Sequence, residues 1–200
     1  MEETVATGAA QTILSPEEYI SFERKFVPDA ETVRHEYVKG KIISMSGASR
    51  AHNLISFNIA AELHPQIRDR EIEVYIGEMR VGSPTIASYF YPDIVVVSQE
   101  PEFEDDVFDT LRNPIVIIEI LSPSTEAFDR GEKFSHYRQI ESLQEYIIVS
   151  QDKVNVERFL RKPDEWGYTS FQDINQQIPI ASIACELSLE KIYERVTFPD

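Results

Sequence analysis

Two short runs of branched apolar residues constrain this chain more than any other feature: Ile94-Val95-Val96-Val97 and Ile115-Val116-Ile117-Ile118. A strand with one wet face alternates apolar and polar residues. A continuous apolar run of this length belongs to a strand covered on both faces. The chain must therefore be layered, with helices or further sheet packed on each side of these strands. With 200 residues, 42% of them hydrophobic, there is material for one full core. Residues 1–14 read as a flexible tail and residues 15–196 as a single domain.

The flanking segments supply the layers. Ser15-Pro16-Glu17-Glu18 has the order of a capping box with proline in the first turn. It predicts a helix carrying Tyr19, Ile20 and Phe22 and ending near Phe26. Arg34–Val38 and Lys41–Met45 read as a hairpin around Lys39-Gly40. Ser49 can cap a second helix, with Leu54, Ile55, Ile59 and Leu63 at helical spacing and Pro65 as its expected end or kink. Glu71–Ile76 and Met79–Val81 read as strands. A helix is expected from about Glu126 to Ile140, with Phe134, Tyr137 and Ile140 facing the core. Glu145–Val149 reads as a buried strand. Val154–Leu160 and Tyr168–Phe171 read as a hairpin turning at Asp164–Gly167, and Leu187–Tyr193 as a closing helix. The sum is an α/β or α+β domain with a mixed sheet.

Within the most apolar of these strands stands Glu119. A buried carboxylate is costly unless it is paired, hydrogen-bonded or bound to a metal. Asp93 directly precedes the other apolar run. If the two strands are neighbours, both carboxylates reach one point at the sheet edge, where hard oxygen ligands suit Mg²⁺ or Mn²⁺. Strand alternation gives Glu119 and Leu121 the same face, so the position that a nearby lysine would take is occupied by Leu121. Lys133, on the helix that follows, is the candidate cation for orienting a water or stabilising transition-state charge. Plainer readings stand beside this one. Asp93 can cap a turn after Pro92, Glu119 can be satisfied by an arginine or histidine, and Asp129 and Lys133 can be a surface i, i+4 pair.

At these residues the chain resembles a known family. Tyr91-Pro92-Asp93-Ile94-Val95-Val96, Ile118-Glu119-Ile120-Leu121-Ser122-Pro123-Ser124-Thr125 and Asp129-Arg130-Gly131-Glu132-Lys133-Phe134 with Tyr137 are similar to the Uma-two family. So are His35 to Ile43 and the stretch from Met45-Ser46-Gly47 to His52-Asn53. The family consists of bacterial restriction-endonuclease-like proteins within the PD-(D/E)XK nuclease superfamily, and the resemblance covers about residues 15 to 195. It implies a restriction-endonuclease-like mixed central sheet flanked by helices. It implies Asp93, Glu119 and the Ile120 backbone carbonyl as metal ligands, with the superfamily's lysine moved to Lys133. Glu36 and His52 match family positions near the site, as supporting residues. A surface strand residue and a polar group in a first helical turn are their plainer readings. DNA is the implied substrate and a homodimer the implied assembly.

Composition narrows the choice. The formal net charge of -16 opposes nucleic-acid binding, because phosphate affinity comes largely from Lys and Arg. Part of the excess is one stretch, Glu100, Glu102, Glu104, Asp105, Asp106 and Asp109, which reads as a solvated loop. A bound cation would reverse the field locally. One cysteine, Cys185, excludes an internal disulfide and a cysteine metal site, and His35, His52, His64 and His136 lack zinc spacing. No glycine loop for a nucleotide cofactor appears. Ser122 and Ser124 lack a nucleophile elbow. No run spans a membrane, and no secretion signal is read, so the expected compartment is the cytoplasm. Three functions follow: a Mg²⁺- or Mn²⁺-dependent DNA endonuclease, a non-catalytic module retaining the nuclease fold for protein or nucleic-acid interaction, and a metal-dependent hydrolase of another substrate.

Overall fold

The computed structural model of the chain describes residues 13–25, 33–45 and 47–199. Helix α1 (Pro16–Glu23) opens with a complete capping box: the Ser15 hydroxyl accepts from the Glu18 amide and the Glu18 carboxylate from the Ser15 amide. Phe26, its expected end, lies outside the described residues. Strands β1 (His35–Val38) and β2 (Lys41–Ser44) form the expected hairpin. Lys39 and Gly40 both take positive φ (47° and 94°), as a two-residue turn between twisted strands requires. The Leu14 amide donates to the Gly40 carbonyl, so the segment before α1 meets this turn.

Ser49 caps α2 (Arg50–Ile67), accepting from the His52 amide. The helix does not end at Pro65 but runs on to Ile67. An internal proline costs a helix about 3 kcal/mol. Burying Ile67, which continues the Ile55, Ile59 and Leu63 face, returns roughly 2–3 kcal/mol and supports the extra turn. Six strands follow: β3 (Glu73–Ile76), β4 (Arg80–Ser83), β5 (Ser88–Phe90), β6 (Ile94–Val97), β7 (Thr110–Leu111) and β8 (Val116–Leu121). The next helical segment is three pieces rather than one: α3 (Glu126–Phe128), a π turn over Asp129–Lys133, and α4 (Phe134–Tyr137). It stops short of Ile140. Beyond it lie β9 (Glu145–Ser150), β10 (Val156–Arg161), β11 (Trp166–Phe171), β12 (Gln177–Ile180), β13 (Cys185–Ser188) and α5 (Leu189–Ile192). Leu187 and Ser188, expected in the closing helix, are strand residues. Leu187 pairs with Ile178 and both are buried, which the helical alternative would forgo.

The fold is α+β with mixed sheets. A six-stranded sheet has the order β11-β10-β9-β8-β6-β3, with β8 and β9 parallel and every other pair antiparallel. A five-stranded sheet has the order β2-β1-β5-β4-β7, and β12-β13 form a third. Every residue of β6 and β8 is buried, as continuous apolar runs require. Ile94, Val96, Val116, Ile118 and Ile120 pack with α2 in one core, while Val95, Val97, Ile117 and Leu121 pack with Phe90 and Tyr137 in another. The central sheet therefore separates two apolar layers, and odd-numbered residues of β8 face α4. No helix among the described residues is long and apolar enough to cross a membrane.

Candidate active site

The site begins with register. Strands β6 and β8 pair antiparallel with Ile94 opposite Ile118, so Asp93, just before β6, falls opposite Glu119. Residues directly opposite across such a pair have Cβ atoms on the order of 5 Å apart on one face. One residue further, the same register brings Pro92 opposite Ile120. Proline has no N–H to donate. It therefore offers the Ile120 carbonyl no donor, while the Ile120 amide donates to the Asp93 carboxylate, with 2.6 Å between N and Oδ2. The sequence Pro92-Asp93 thus ties the Ile120 backbone to the Asp93 carboxylate.

Asp93 is held on both oxygens, since Oδ1 lies 2.8 Å from His52 Nε2. The tautomer that satisfies this contact carries its hydrogen on Nε2. His52 Nδ1 is buried with no partner among the described residues. His52 sits in the first turn of α2, where the Ser49 cap fixes its backbone and Ser49 in turn bonds Gln151.

Lys133 enters from the opposite side. Its Nζ lies 2.8 Å from Glu119 Oε1, 2.8 Å from Glu36 Oε1 and 3.5 Å from Asp129 Oδ1. The ammonium also lies 5.7 Å from the centre of the Phe90 ring and 6.0 Å from that of Tyr137. The Tyr137 hydroxyl donates to Glu119 Oε1 at 3.0 Å, and the Tyr91 amide donates to Glu36. Glu36, Glu119, Asp129 and Lys133 are all buried. The Asp129–Lys133 contact is therefore no surface pair, Glu36 is no surface strand residue, and the cation on Glu119 is a lysine rather than an arginine or histidine. The π turn carries both Asp129 and Lys133; such turns widen a helix locally and recur at functional sites.

Charge decides what this arrangement can do. Four carboxyl groups (Glu36, Asp93, Glu119, Asp129) converge on one ammonium and one imidazole. Burial, aided by Asp129, Asp93 and Glu36 and opposed by Lys133, pushes the Glu119 carboxyl well above the usual range. Burial also works against the Lys133 charge, but Glu119, Glu36 and Asp129 outweigh it and hold the ammonium well above its usual range. Lys133 stays charged, and burial makes Glu119 ready to take a proton or a cation. Among the described residues no three His, Cys, Asp or Glu side chains form a ready metal cluster. The donor set nonetheless fits a hard divalent ion: Mg²⁺ is commonly held by one or two carboxylates, with water and substrate oxygens completing its octahedron.

The acidic stretch is more than a solvated loop. Arg24 forks onto Asp105 and Asp109 at 2.8 and 2.6 Å, and the buried Arg80 guanidinium bonds Asp109, Thr110 and Tyr91. Partial burial raises the Asp109 carboxyl, but Arg24 and Arg80 pull it down to about 2. Tyr91 so joins this network to Pro92-Asp93.

A family model described as "Putative restriction endonuclease" matches residues 16–190. The chain belongs to the Uma2 family. Two relatives come from Synechocystis sp. (strain ATCC 27184 / PCC 6803 / Kazusa). The uncharacterized protein sll1609 is 36% identical over 171 residues, spanning 85% of this chain and 94% of that one. The uncharacterized protein slr1290 is 29% identical over 186 residues, spanning 92% and 94%. A crystal structure described as "a putative nuclease belonging to DUF820" from Anabaena variabilis ATCC 29413 superposes with a TM-score of 0.72 at 19% identity, covering 92% of this chain and 99% of that one. At that identity the likeness speaks for the fold, which this Uma2 member shares.

The sequence singled out Asp93, Glu119, Lys133, Glu36 and His52, and the structure brings all five together. It adds Asp129 and Tyr137 as direct partners of the Lys133–Glu119 pair. Tyr137 lies four residues after Lys133, one helical turn on, and that spacing was the available signal. The Gln151 contact to Ser49 had none, because it depends on tertiary packing over 102 residues of chain.

Proposed function

We propose that this chain is a Mg²⁺- or Mn²⁺-dependent DNA endonuclease that hydrolyses phosphodiester bonds. The observation that carries the reading is the β6–β8 register, which extended by one residue sets Asp93 opposite Glu119, with Lys133 bonded to Glu119. Asp93, Glu119 and the Ile120 carbonyl would hold the ion. When bound, it supplies Lewis acidity at a phosphoryl oxygen and makes water a stronger acid.

The remaining work falls to the protein's own groups. His52 and the Ile120 amide fix the Asp93 carboxylate in one orientation, so little ordering is left to be done when substrate arrives. Asp93 and His52 keep 17% and 18% of their side chains exposed, whereas Glu119 and Lys133 keep 4% and 5%. DNA therefore approaches from the Asp93–His52 side. Lys133 acts from the interior, opposing the rise that burial gives the Glu119 carboxyl and adding positive potential where the phosphoryl group gains negative charge. Glu36 and Asp129 hold the Lys133 ammonium in place.

Cleavage of supercoiled plasmid in Mn²⁺ tests the reading. Wild type is expected to nick, Asp93→Ala and Glu119→Ala to lose at least about 100-fold, and Lys133→Ala to lose more in cleavage than in metal affinity. Equal nicking by wild type and Asp93→Ala would assign the activity to a contaminant and reject the proposal. The net charge of -16 favours a second reading, a non-catalytic nuclease-fold module for protein or nucleic-acid interaction. That reading predicts no Mn²⁺ binding at millimolar concentration, with a stable complex to a cellular partner.

A further inference from the structure

Hydrogen bonds decide which carboxylate oxygens of the acidic site stay available. Each carboxylate oxygen has about two lone-pair positions, and an ammonium has three hydrogens to give. Lys133 faces three acids with them: Glu119 Oε1 at 2.8 Å, Glu36 Oε1 at 2.8 Å and Asp129 Oδ1 at 3.5 Å. The Tyr137 hydroxyl has a single hydrogen, and it goes to the same Glu119 oxygen, Oε1, at 3.0 Å. Oε1 therefore accepts twice, and both its positions are filled. Glu119 Oε2 accepts from no side chain or amide among the described residues. Asp93 is held differently. Its Oδ1 meets His52 Nε2 and its Oδ2 the Ile120 amide, so each oxygen keeps a lone pair.

Packing fixes the Tyr137 hydroxyl in that place. The ring is fully buried, edge-on to Phe90 with centroids 5.0 Å apart and tilted against Tyr146 at 5.7 Å. Tyr137 closes α4, so the same helical segment that delivers Lys133 to Glu119 also delivers the phenol. Tyr146 provides an internal contrast. It is equally buried in the same aromatic layer, but its hydroxyl donates to the Asp129 backbone carbonyl at 3.0 Å. Among the described residues, only Tyr137 fills the second position of Glu119 Oε1.

We propose that Tyr137 sets the cation specificity of the site: with Lys133 it closes Glu119 Oε1, so that Glu119 offers an ion one oxygen, Oε2, and cannot chelate with both. This rests on the metal-dependent reading of the site given above and adds a discrimination to it. Ca²⁺ takes roughly six to eight oxygens in flexible geometry and is often held by both oxygens of a carboxylate. Mg²⁺ demands a near-ideal octahedron at about 2.0–2.1 Å, and one oxygen from each of one or two acids, with water, meets that demand. Mn²⁺ suits the same hard oxygen set. A Glu119 restricted to one oxygen therefore penalises Ca²⁺ more than the two smaller ions. Tyr137 is a positioning residue in this scheme, since it touches Glu119 and not the ion. Loss of its hydroxyl opens a position on Oε1 and frees Glu119 to turn both oxygens to a larger cation.

Competition between Ca²⁺ and Mn²⁺ on the full chain, without DNA, reads this separately from cleavage. Mn²⁺ is bound first, Ca²⁺ is added, and the paramagnetic resonance of released Mn²⁺ gives the ratio of the two dissociation constants. A hydrogen bond to a charged group is commonly worth about a tenfold change, so Tyr137→Phe, which keeps the ring, should shift that ratio at least about fivefold in favour of Ca²⁺. Tyr146→Phe removes a hydroxyl from the same layer and should leave the ratio within about twofold of wild type. Circular dichroism checks that both variants fold. If Tyr137→Phe does not, wild-type crystals soaked in Mn²⁺ decide, with Oε2 expected about 2.1 Å from the ion while Oε1 stays on Lys133 and Tyr137. An unchanged ratio in folded Tyr137→Phe, an equal shift in Tyr146→Phe, or both Glu119 oxygens on the ion overturns the proposal and leaves the nuclease reading standing. A wild type that binds no Mn²⁺ overturns both.

Discussion

Replacing Lys133 with methionine keeps most of the side chain's volume and removes its charge. In the folded protein that ammonium lies within 3.5 Å of Glu36, Glu119 and Asp129, all buried. Removing one partner of a buried ion pair costs about 3–5 kcal/mol, because the remaining charge has lost both water and its counter-ion. A second route gives a similar figure. The variant can escape by protonating a glutamate, which at pH 7 costs about 1.4 kcal/mol for each unit above an ordinary pKa near 4.3, or about 4 kcal/mol. At pH 5 the same escape costs about 1 kcal/mol. Glu119, already raised by burial, is raised further without Lys133. An acid whose folded pKa is raised stabilises fully below its unfolded pKa, and that contribution is lost as pH rises through the folded value. The gap between Lys133→Met and wild type should therefore be about 3–5 kcal/mol at pH 7 and at least 2 kcal/mol smaller at pH 5. Urea unfolding in chelator, followed by circular dichroism, measures both. A loss under about 1 kcal/mol at pH 7, or the same loss at both pH values, would refute the reasoning.

Other consequences follow from the same contacts. Because burial keeps Glu119 ready to hold a proton, metal binding should release one, and Mn²⁺ affinity should rise with pH by up to about tenfold per unit below the Glu119 pKa. Calorimetry in buffers of differing ionisation enthalpy reads this, and a pH-independent affinity contradicts it. His52→Ala frees Asp93 Oδ1 and should weaken Mn²⁺ about 10-fold or more without altering the melting temperature by more than a few degrees, while His52→Gln recovers part of the affinity. Arg80→Met strips the buried Thr110 hydroxyl and Tyr91 of a shared donor, while Asp109 keeps Arg24, and should cost about 1–3 kcal/mol in urea unfolding.

Much of the site was legible because its cause is local. An acid inside an apolar strand, an acid at the start of another, and a lysine on the next helix are visible as residues out of place. Only the pairing of the two strands had to be supplied, and their shared apolar character required it. The hairpins and capped helices were legible for the same reason, as Ser15, Gly40 and Ser49 act on immediate neighbours. What escaped depended on distant packing. Strands β5 and β7 are too short to show a period, and Leu187 became strand because of Ile178. The π turn arises inside a segment with ordinary helical spacing. Arg24 and Arg80, far from the acidic stretch in sequence, turned part of a solvated loop into a tied one.

The central claim is that Asp93, Glu119 and the Ile120 carbonyl share one divalent cation. Anomalous diffraction from crystals soaked in millimolar Mn²⁺ tests it most directly. The account predicts one strong peak between the two carboxylates, with the three protein oxygens about 2.1 Å away. Density without a peak there, with Asp93 still on His52 and Glu119 still on Lys133 while Mn²⁺ is bound elsewhere, would contradict it.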